Sequence, residues 1–350
     1  MPRQGNKSRW RNIAIASLVP VFLSGSAEAQ QSDQPASPQS ERARLPDAVK
    51  RALPAVVALK ATIPRTARSA ETLGTERAGH GVVIDEDGLV LTVGYLIMEA
   101  ESVEIIEAGG RRVSATIVAY DYESGFGLLR AAIPLRAQPL AFGDSDILKF
   151  RDVVTVAGHG GEEMAQRAVV VDRREFAGYW EYLLDNAVFT SPPYGLFGGA
   201  ALIGDDGALL GIGSLFVGDA YRAHGGTLPG NMFIPINRLK PIYTIMREGK
   251  RPSAPKPWIG VYTQEVQGRL VIAYVSPGSP AEQAGLRRGD IIRDVGGTEV
   301  EAVADFYRKL WASGTSGATV KLGIERDGTP EDVLVRSIDR YKYLKLDSSL

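Results

Sequence analysis

The chain has 350 residues, of which 44% are hydrophobic and 23% charged; this is ordinary globular composition, with room for two or three domains, and it excludes a disordered polymer. Lys+Arg 40 balance Asp+Glu 41, so no excess of charge points to nucleic acid or to an acidic polymer. With Cys 0, disulfides and lipid attachment to cysteine are both excluded, and packing alone must hold the fold.

Arg3, Lys7, Arg9 and Arg11 precede the apolar run IAIASLVPVFL, and Ala27-Glu28-Ala29 follows as an A-x-A cleavage pattern. This order predicts a secretory signal peptide over 1–29, cleaved after Ala29. A membrane anchor is the competing reading, but spanning a bilayer takes roughly 20 apolar residues, more than this run supplies. Residues 30–45, QQSDQPASPQSERARL, have almost nothing to bury and predict a disordered leader.

From residue 46 short β-rich runs alternate with turn signals. GVVID and LVLT flank EDG, VEIIEA and RRVSATIVAY flank GG, and AALI and ALLGIGSLF flank GDDG. Such runs predict antiparallel all-β architecture, a sandwich or a pair of barrels. MFIPI then leads into NRLKPIYTIMREGK, where Asn237 as N-cap, Pro241 in the first turn and Leu239, Ile242, Ile245 and Met246 on one face predict a closing helix. Residues 58–79 have the composition of a mobile loop.

GKRPSAPKP, residues 249–257, carries three prolines and predicts a stiffened linker. Beyond it, WIGVYTQEV, RLVIAYV, the SPGSPAEQAGLRRGDIIRDVGG segment and VKLGIER surround a helical stretch, EAVADFYRKLWAS. Val303, Phe306, Tyr307 and Leu310 recur there at i, i+3, i+4 and i+7, one face to bury. Mixed elements in this length predict a small α+β module.

The WIGV and SPAEQAGLRRGDIIRDVGG segments, with the helix around Phe306, resemble a bacterial PDZ domain. GHGVVID through GGAAL to FIPINRL is similar to the trypsin-like domain of the HtrA (Deg) family of envelope proteases. The resemblance covers residues 46–340 and implies a mostly β fold, a chymotrypsin-like double six-stranded β-barrel at 46–248, followed by an α+β PDZ domain at 258–341 and a tail at 342–350. It also implies periplasmic location, no cofactor and a homo-trimer.

Three positions depart from the family's motifs. The family's T-N-N-H-V-V reads Thr92-Val93-Gly94-Tyr95-Leu96-Ile97 here, so Tyr95 stands at the general base. The orienting aspartate of D-x-x-x-D is Gly125, in Asp121-Tyr122-Glu123-Ser124-Gly125. The G-N-S-G-G nucleophile is Phe197, in Gly195-Leu196-Phe197-Gly198-Gly199. A triad needs an oxygen nucleophile, a base titrating near neutrality and a group to orient it; a phenol with a pKa of roughly 10 is a poor base, and phenylalanine has no nucleophilic atom. Pro192 and Pro193 remove two donors from the preceding loop, while the N–H groups of Gly195 and Phe197 keep the spacing of an oxyanion hole. Gly125 leaves room between Tyr95 and Phe197, which predicts an aromatic pair plugging the cleft.

His80, His159 and His224 match no metal-ligand spacing and read as packing or surface residues; Ser191 and Ser214 are hydroxyls that turn and strand packing explain. In the PDZ-like module, the resemblance implies β-augmentation by a peptide whose terminal carboxylate is held by backbone N–H groups of WIGV. Ile259, Gly260, Val261, Phe306 and Leu310 are the candidate groove residues. The expected function is that of a catalytically inactive HtrA-like protein binding peptide C-termini or misfolded envelope proteins, or regulating an active relative. The alternative is a serine-type endopeptidase working through other residues.

Overall fold

The turns read from the sequence set the register of the first barrel. Asp85 Oδ1 accepts from Leu89 N at 2.8 Å and Ile84 N donates to Leu89 O at 2.9 Å, so the EDG turn brings Val82 opposite Leu91. In the computed structural model, which describes residues 44–223, 225–344 and 346, six strands close on themselves. They are β1 (Val56–Thr62), β2 (Glu76–Val83), β3 (Leu89–Val93), β4 (Ser102–Ile106), β5 (Arg112–Tyr120) and β6 (Phe126–Ala131), in the order β1-β2-β3-β6-β5-β4. The sequence expectations for the signal peptide, most of the leader and His224 lie outside the described residues.

The second barrel repeats this order. Strands β7 (Val153–Ala157), β8 (Ala165–Gly178), β9 (Tyr182–Ser191), β10 (Ala201–Ile203), β11 (Leu209–Ala223) and β12 (Gly226–Pro235) close as β10-β11-β12-β9-β8-β7. β8 and β9 run on past the barrel as a hairpin pairing Gly178 with Tyr182. Val154, Val156, Val170, Val188, Leu202 and Phe233 fill the interior.

The third sheet, β13 (Val261–Val266), β14 (Arg269–Val275), β15 (Ile291–Val295), β16 (Thr298–Glu299), β17 (Thr319–Arg326) and β18 (Thr329–Arg336), is ordered β13-β14-β15-β17-β18 with β16 paired to β15. The helix Val303–Ala312 buries Val303, Phe306, Tyr307 and Leu310, the face that the spacing predicts. Each such side chain contributes about 1.5–3 kcal/mol when fully buried.

Three expectations need correction. The closing helix is short, Tyr243–Arg247, because Pro241 has no N–H to give and the first α-helical bond runs from Met246 N to Ile242 O. Asn237 does not cap it; its side-chain amide donates to Asp144 Oδ1 at 2.6 Å. Residues 58–79 are not one loop: 58–62 belong to β1 and 76–79 to β2, and the connection 63–75 carries the helical turn Ala70–Leu73. The 249–257 segment is held by ion pairs: Arg251 with Asp339 at 2.7 Å and Lys256 with Glu123 at 2.7 Å. After β18, Tyr341, Leu344 and Leu346 pack on Met98 and Tyr120 of the first barrel.

Candidate functional site

The cleft between the barrels collects the three positions that the sequence singles out. Tyr95 follows β3 in a short turn, Gly94–Leu96, held from below by Arg77. That buried guanidinium donates to Tyr95 O at 2.7 Å, Met98 O at 2.9 Å and Ser69 Oγ at 2.7 Å. Tyr95 is half-buried, and its hydroxyl donates across the cleft to the Ser214 carbonyl on β11 at 2.9 Å. Burial pushes this phenol far above its ordinary value, so it acts as a hydrogen-bond donor and not as a base.

Gly125 closes the turn before β6 with φ +84°, a left-handed conformation that suits glycine. Its carbonyl accepts from Gly94 N at 2.8 Å, joining the two turns. The space in front of it is already taken: a Cβ here would stand 3.0 Å from the Tyr182 hydroxyl and 3.1 Å from Ile234 Cδ1. Tyr182, buried on β9, donates to Ser124 O at 2.9 Å. The expected contact between the Tyr95 and Phe197 rings is absent among the ring pairs of the described residues. A tyrosine from the second barrel, 57 positions beyond Gly125 in the chain, fills the room instead, and Tyr95 spends its polar end on Ser214.

Around Phe197 the glycine frame is retained for steric reasons. Gly199 has φ +76°, and a Cβ there would sit 1.9 Å from the His80 carbonyl oxygen. Gly198 O accepts from His80 N at 2.8 Å. The half-buried Phe197 accepts from Ala200 N at 3.0 Å through its carbonyl. Tyr194 turns into the second barrel's core, donating through its hydroxyl to Met164 O at 3.0 Å while Asn231 Oδ1 accepts from its backbone N at 2.6 Å.

Of the histidines, His80 is buried at 6% exposure. Its Nδ1 accepts from His159 N at 3.1 Å, and its ring also bonds the Leu196 backbone. Burial, with His159 adding to it, pulls its pKa down to about 4, so it stays neutral and ties the loop around Leu196 to the 157–160 loop. His159 Nε2 lies 3.0 Å from Glu107 O. Ser191 Oγ donates to Pro229 O at 3.0 Å. The Thr92 hydroxyl donates to the His80 carbonyl at 2.6 Å, whereas the ring bonds of the two described histidines go to backbone atoms; among the described residues no group of three His, Cys, Asp or Glu converges as a metal site.

The second candidate region lies where β13 begins. Ile259, Val261, Phe306 and Leu310 are all at most 1% exposed and form the core of the third sheet, so, against expectation, their side chains do not line an open surface. Gly260 has φ +85°, and a Cβ would meet Ser279 Cβ at 2.5 Å. The N–H groups here do hold a carboxylate, but it is the chain's own: Gly260 N and Val261 N donate to Glu181 Oε1 at 2.7 and 3.1 Å, and Ile259 N to Oε2 at 3.5 Å. Glu181 sits at the tip of the β8–β9 hairpin, 5% exposed. Nothing in local pattern marks Glu181, Tyr182 or the Tyr307 hydroxyl; the first signal for them is proximity in the fold.

Residues 79–212 match a trypsin-like peptidase domain and residues 257–336 a PDZ domain. The protein is therefore a trypsin-like peptidase fold carrying a PDZ domain. Its relatives and structural neighbours include HtrA-type proteases. It is 27% identical over 269 residues to the periplasmic pH-dependent serine endoprotease DegQ of Escherichia coli, covering 74% of this chain and 59% of that protein. To the serine protease Do-like HtrA of Lactobacillus helveticus it is 28% identical, over 75% of this chain and 69% of the other. The solved HtrA-type protease AlgW with decapeptide superposes with a TM-score of 0.50 at 20% identity, covering 84% of this chain and 98% of that one. The chain thus spans about 59% of the length of DegQ.

Proposed function

We propose that this chain is a non-catalytic HtrA-type protein of the periplasm that binds peptide termini or unfolded envelope proteins, or regulates an active relative. The observation that carries this reading is the make-up of the cleft: Phe197 offers no nucleophilic atom, Tyr95 is committed to the Ser214 carbonyl at 2.9 Å, and the space before Gly125 is filled by Tyr182. Acyl transfer needs a nucleophile and a base in hydrogen-bond reach, about 2.6–3.2 Å, and the His80 and His159 rings and the Ser191 hydroxyl are bonded to backbone atoms. Periplasmic location is supported by periplasmic relatives, DegQ among them, and by the N-terminal sequence.

A second reading, serine-type endopeptidase, is favoured by one observation: the matched relatives are serine proteases. Casein turnover by the purified protein separates the two, measured beside Phe197→Ser and beside Phe197→Ser combined with Tyr95→His and Gly125→Asp. The non-catalytic reading expects wild-type turnover equal to a no-protein control. Wild-type turnover that persists through repurification and is unaffected at Phe197 sinks it.

A further inference from the structure

The β8–β9 hairpin meets the PDZ domain as a ligand would. Thr263 N on β13 donates to Tyr179 O at 3.0 Å, a backbone bond from the free edge of the third sheet to the hairpin's turn. The Tyr307 hydroxyl, from the groove helix, donates to Gly178 O at 2.8 Å and accepts from Glu181 N at 3.0 Å, with Thr263 Oγ1 at 3.2 Å. The Glu181 carboxylate then fills the three-amide cradle of Ile259, Gly260 and Val261. Arg340 donates to Glu181 O at 3.2 Å, and the Tyr179 ring lies 5.9 Å from that of Tyr262. Edge pairing plus a carboxylate on backbone N–H groups is how grooves of this kind hold an extended peptide end. Here both halves of that recognition are supplied from within the chain, by a side-chain carboxylate in place of a terminal one.

Glu181 itself adopts φ +55°, a left-handed conformation costly for a residue with a Cβ. It is kept there only because the cradle, Tyr307 and Arg340 together fix it. Burial pushes its carboxyl up to about 7, against the opposing pull of Arg340 and the three amides. The contact is therefore specific in geometry and held against a desolvation cost.

We propose that the Gly178–Tyr182 hairpin is an internal ligand of the PDZ groove, and that an external peptide carboxylate reaches Ile259, Gly260 and Val261 only in exchange for Glu181. The exchange half of this rests on the peptide-binding reading above. The groove's ligand class follows from the occupant: a free carboxylate preceded by a segment that pairs with Thr263 and carries aromatic side chains.

The test uses the full mature chain as wild type, Glu181→Gln, Glu181→Ala and Tyr307→Phe. Hydrogen exchange is read at residues 259–263, and binding is read by fluorescence anisotropy of a labelled peptide with the sequence of residues 173–180, ending in a free carboxylate or a carboxamide. The expected result is exchange at least tenfold faster in both Glu181 variants, with a smaller rise in Tyr307→Phe. The free acid should bind the Glu181 variants at least tenfold more tightly than wild type, and the carboxamide should gain nothing. Unchanged exchange in Glu181→Gln, in a protein whose near-UV spectrum is native, overturns the internal ligand. Equal peptide affinity in wild type and variants overturns the exchange while leaving peptide binding intact. Faster exchange with no peptide binding upholds the internal ligand and removes the peptide-binding reading instead.

Discussion

Gly125→Ala isolates the change at the position of the orienting carboxylate. Its φ of +84° costs an L-residue roughly 1–2 kcal/mol. The new methyl would meet the Tyr182 hydroxyl at 3.0 Å and Ile234 Cδ1 at 3.1 Å, so the ring must shift and the 2.9 Å bond to Ser124 O weakens. Such a bond contributes about 0.5–1.5 kcal/mol. The expected loss is about 2–3 kcal/mol in equilibrium urea unfolding. In a Tyr182→Phe background, where the hydroxyl is gone, the same substitution should cost only the backbone part, about 1–2 kcal/mol. A loss below about 0.5 kcal/mol for Gly125→Ala, or an equal loss in both backgrounds, would refute the argument that Tyr182 occupies this space. The result also bears on the triple restoration, since an aspartate at 125 meets the same wall.

His80 predicts acid sensitivity. Folded, it resists protonation down to about 4, against an ordinary value of 6.5, so below 6.5 the unfolded chain binds the proton first and stability falls as pH drops. Between pH 7.5 and 4.5 wild type should lose about 2–3 kcal/mol more than His80→Gln in urea unfolding; equal losses would count against a buried neutral imidazole. Arg77→Lys should destabilise by about 2–4 kcal/mol, because an ammonium cannot serve Tyr95 O, Met98 O and Ser69 Oγ together. A melting temperature within a degree of wild type would show that the clamp under Tyr95 is dispensable.

The fold was largely legible because its signals are local. EDG, GG and GDDG turns with apolar runs on either side specify hairpins, and Asp85 capping Leu89 N shows the mechanism at one of them. Motif residues also revealed the altered cleft, since Tyr95, Gly125 and Phe197 are read as residue types in fixed frames. What occupies the vacated space was not legible. Tyr182 reaches Ser124 and Glu181 reaches Gly260 across separations of 58 and 79 residues, and neither leaves a periodicity. The same holds for the linker, whose proline content predicts stiffness but not that Arg251 and Lys256 would find Asp339 and Glu123. The closing helix starts late, at Tyr243, for a local reason, the missing N–H of Pro241.

The ordered segment after β18 changes the connectivity of the whole molecule. Tyr341 donates to Tyr120 O at 2.5 Å and Arg251 rests 3.9 Å over the Tyr341 ring, so the PDZ domain is fastened to the first barrel at its exit as well as its entry. A module tethered at one end sweeps a large volume; one tethered at both is confined beside its neighbour. Confinement of this kind raises the effective concentration of the hairpin beside the third sheet, so a peptide competing for the same backbone N–H groups, as proposed above, would face a ligand that never diffuses away.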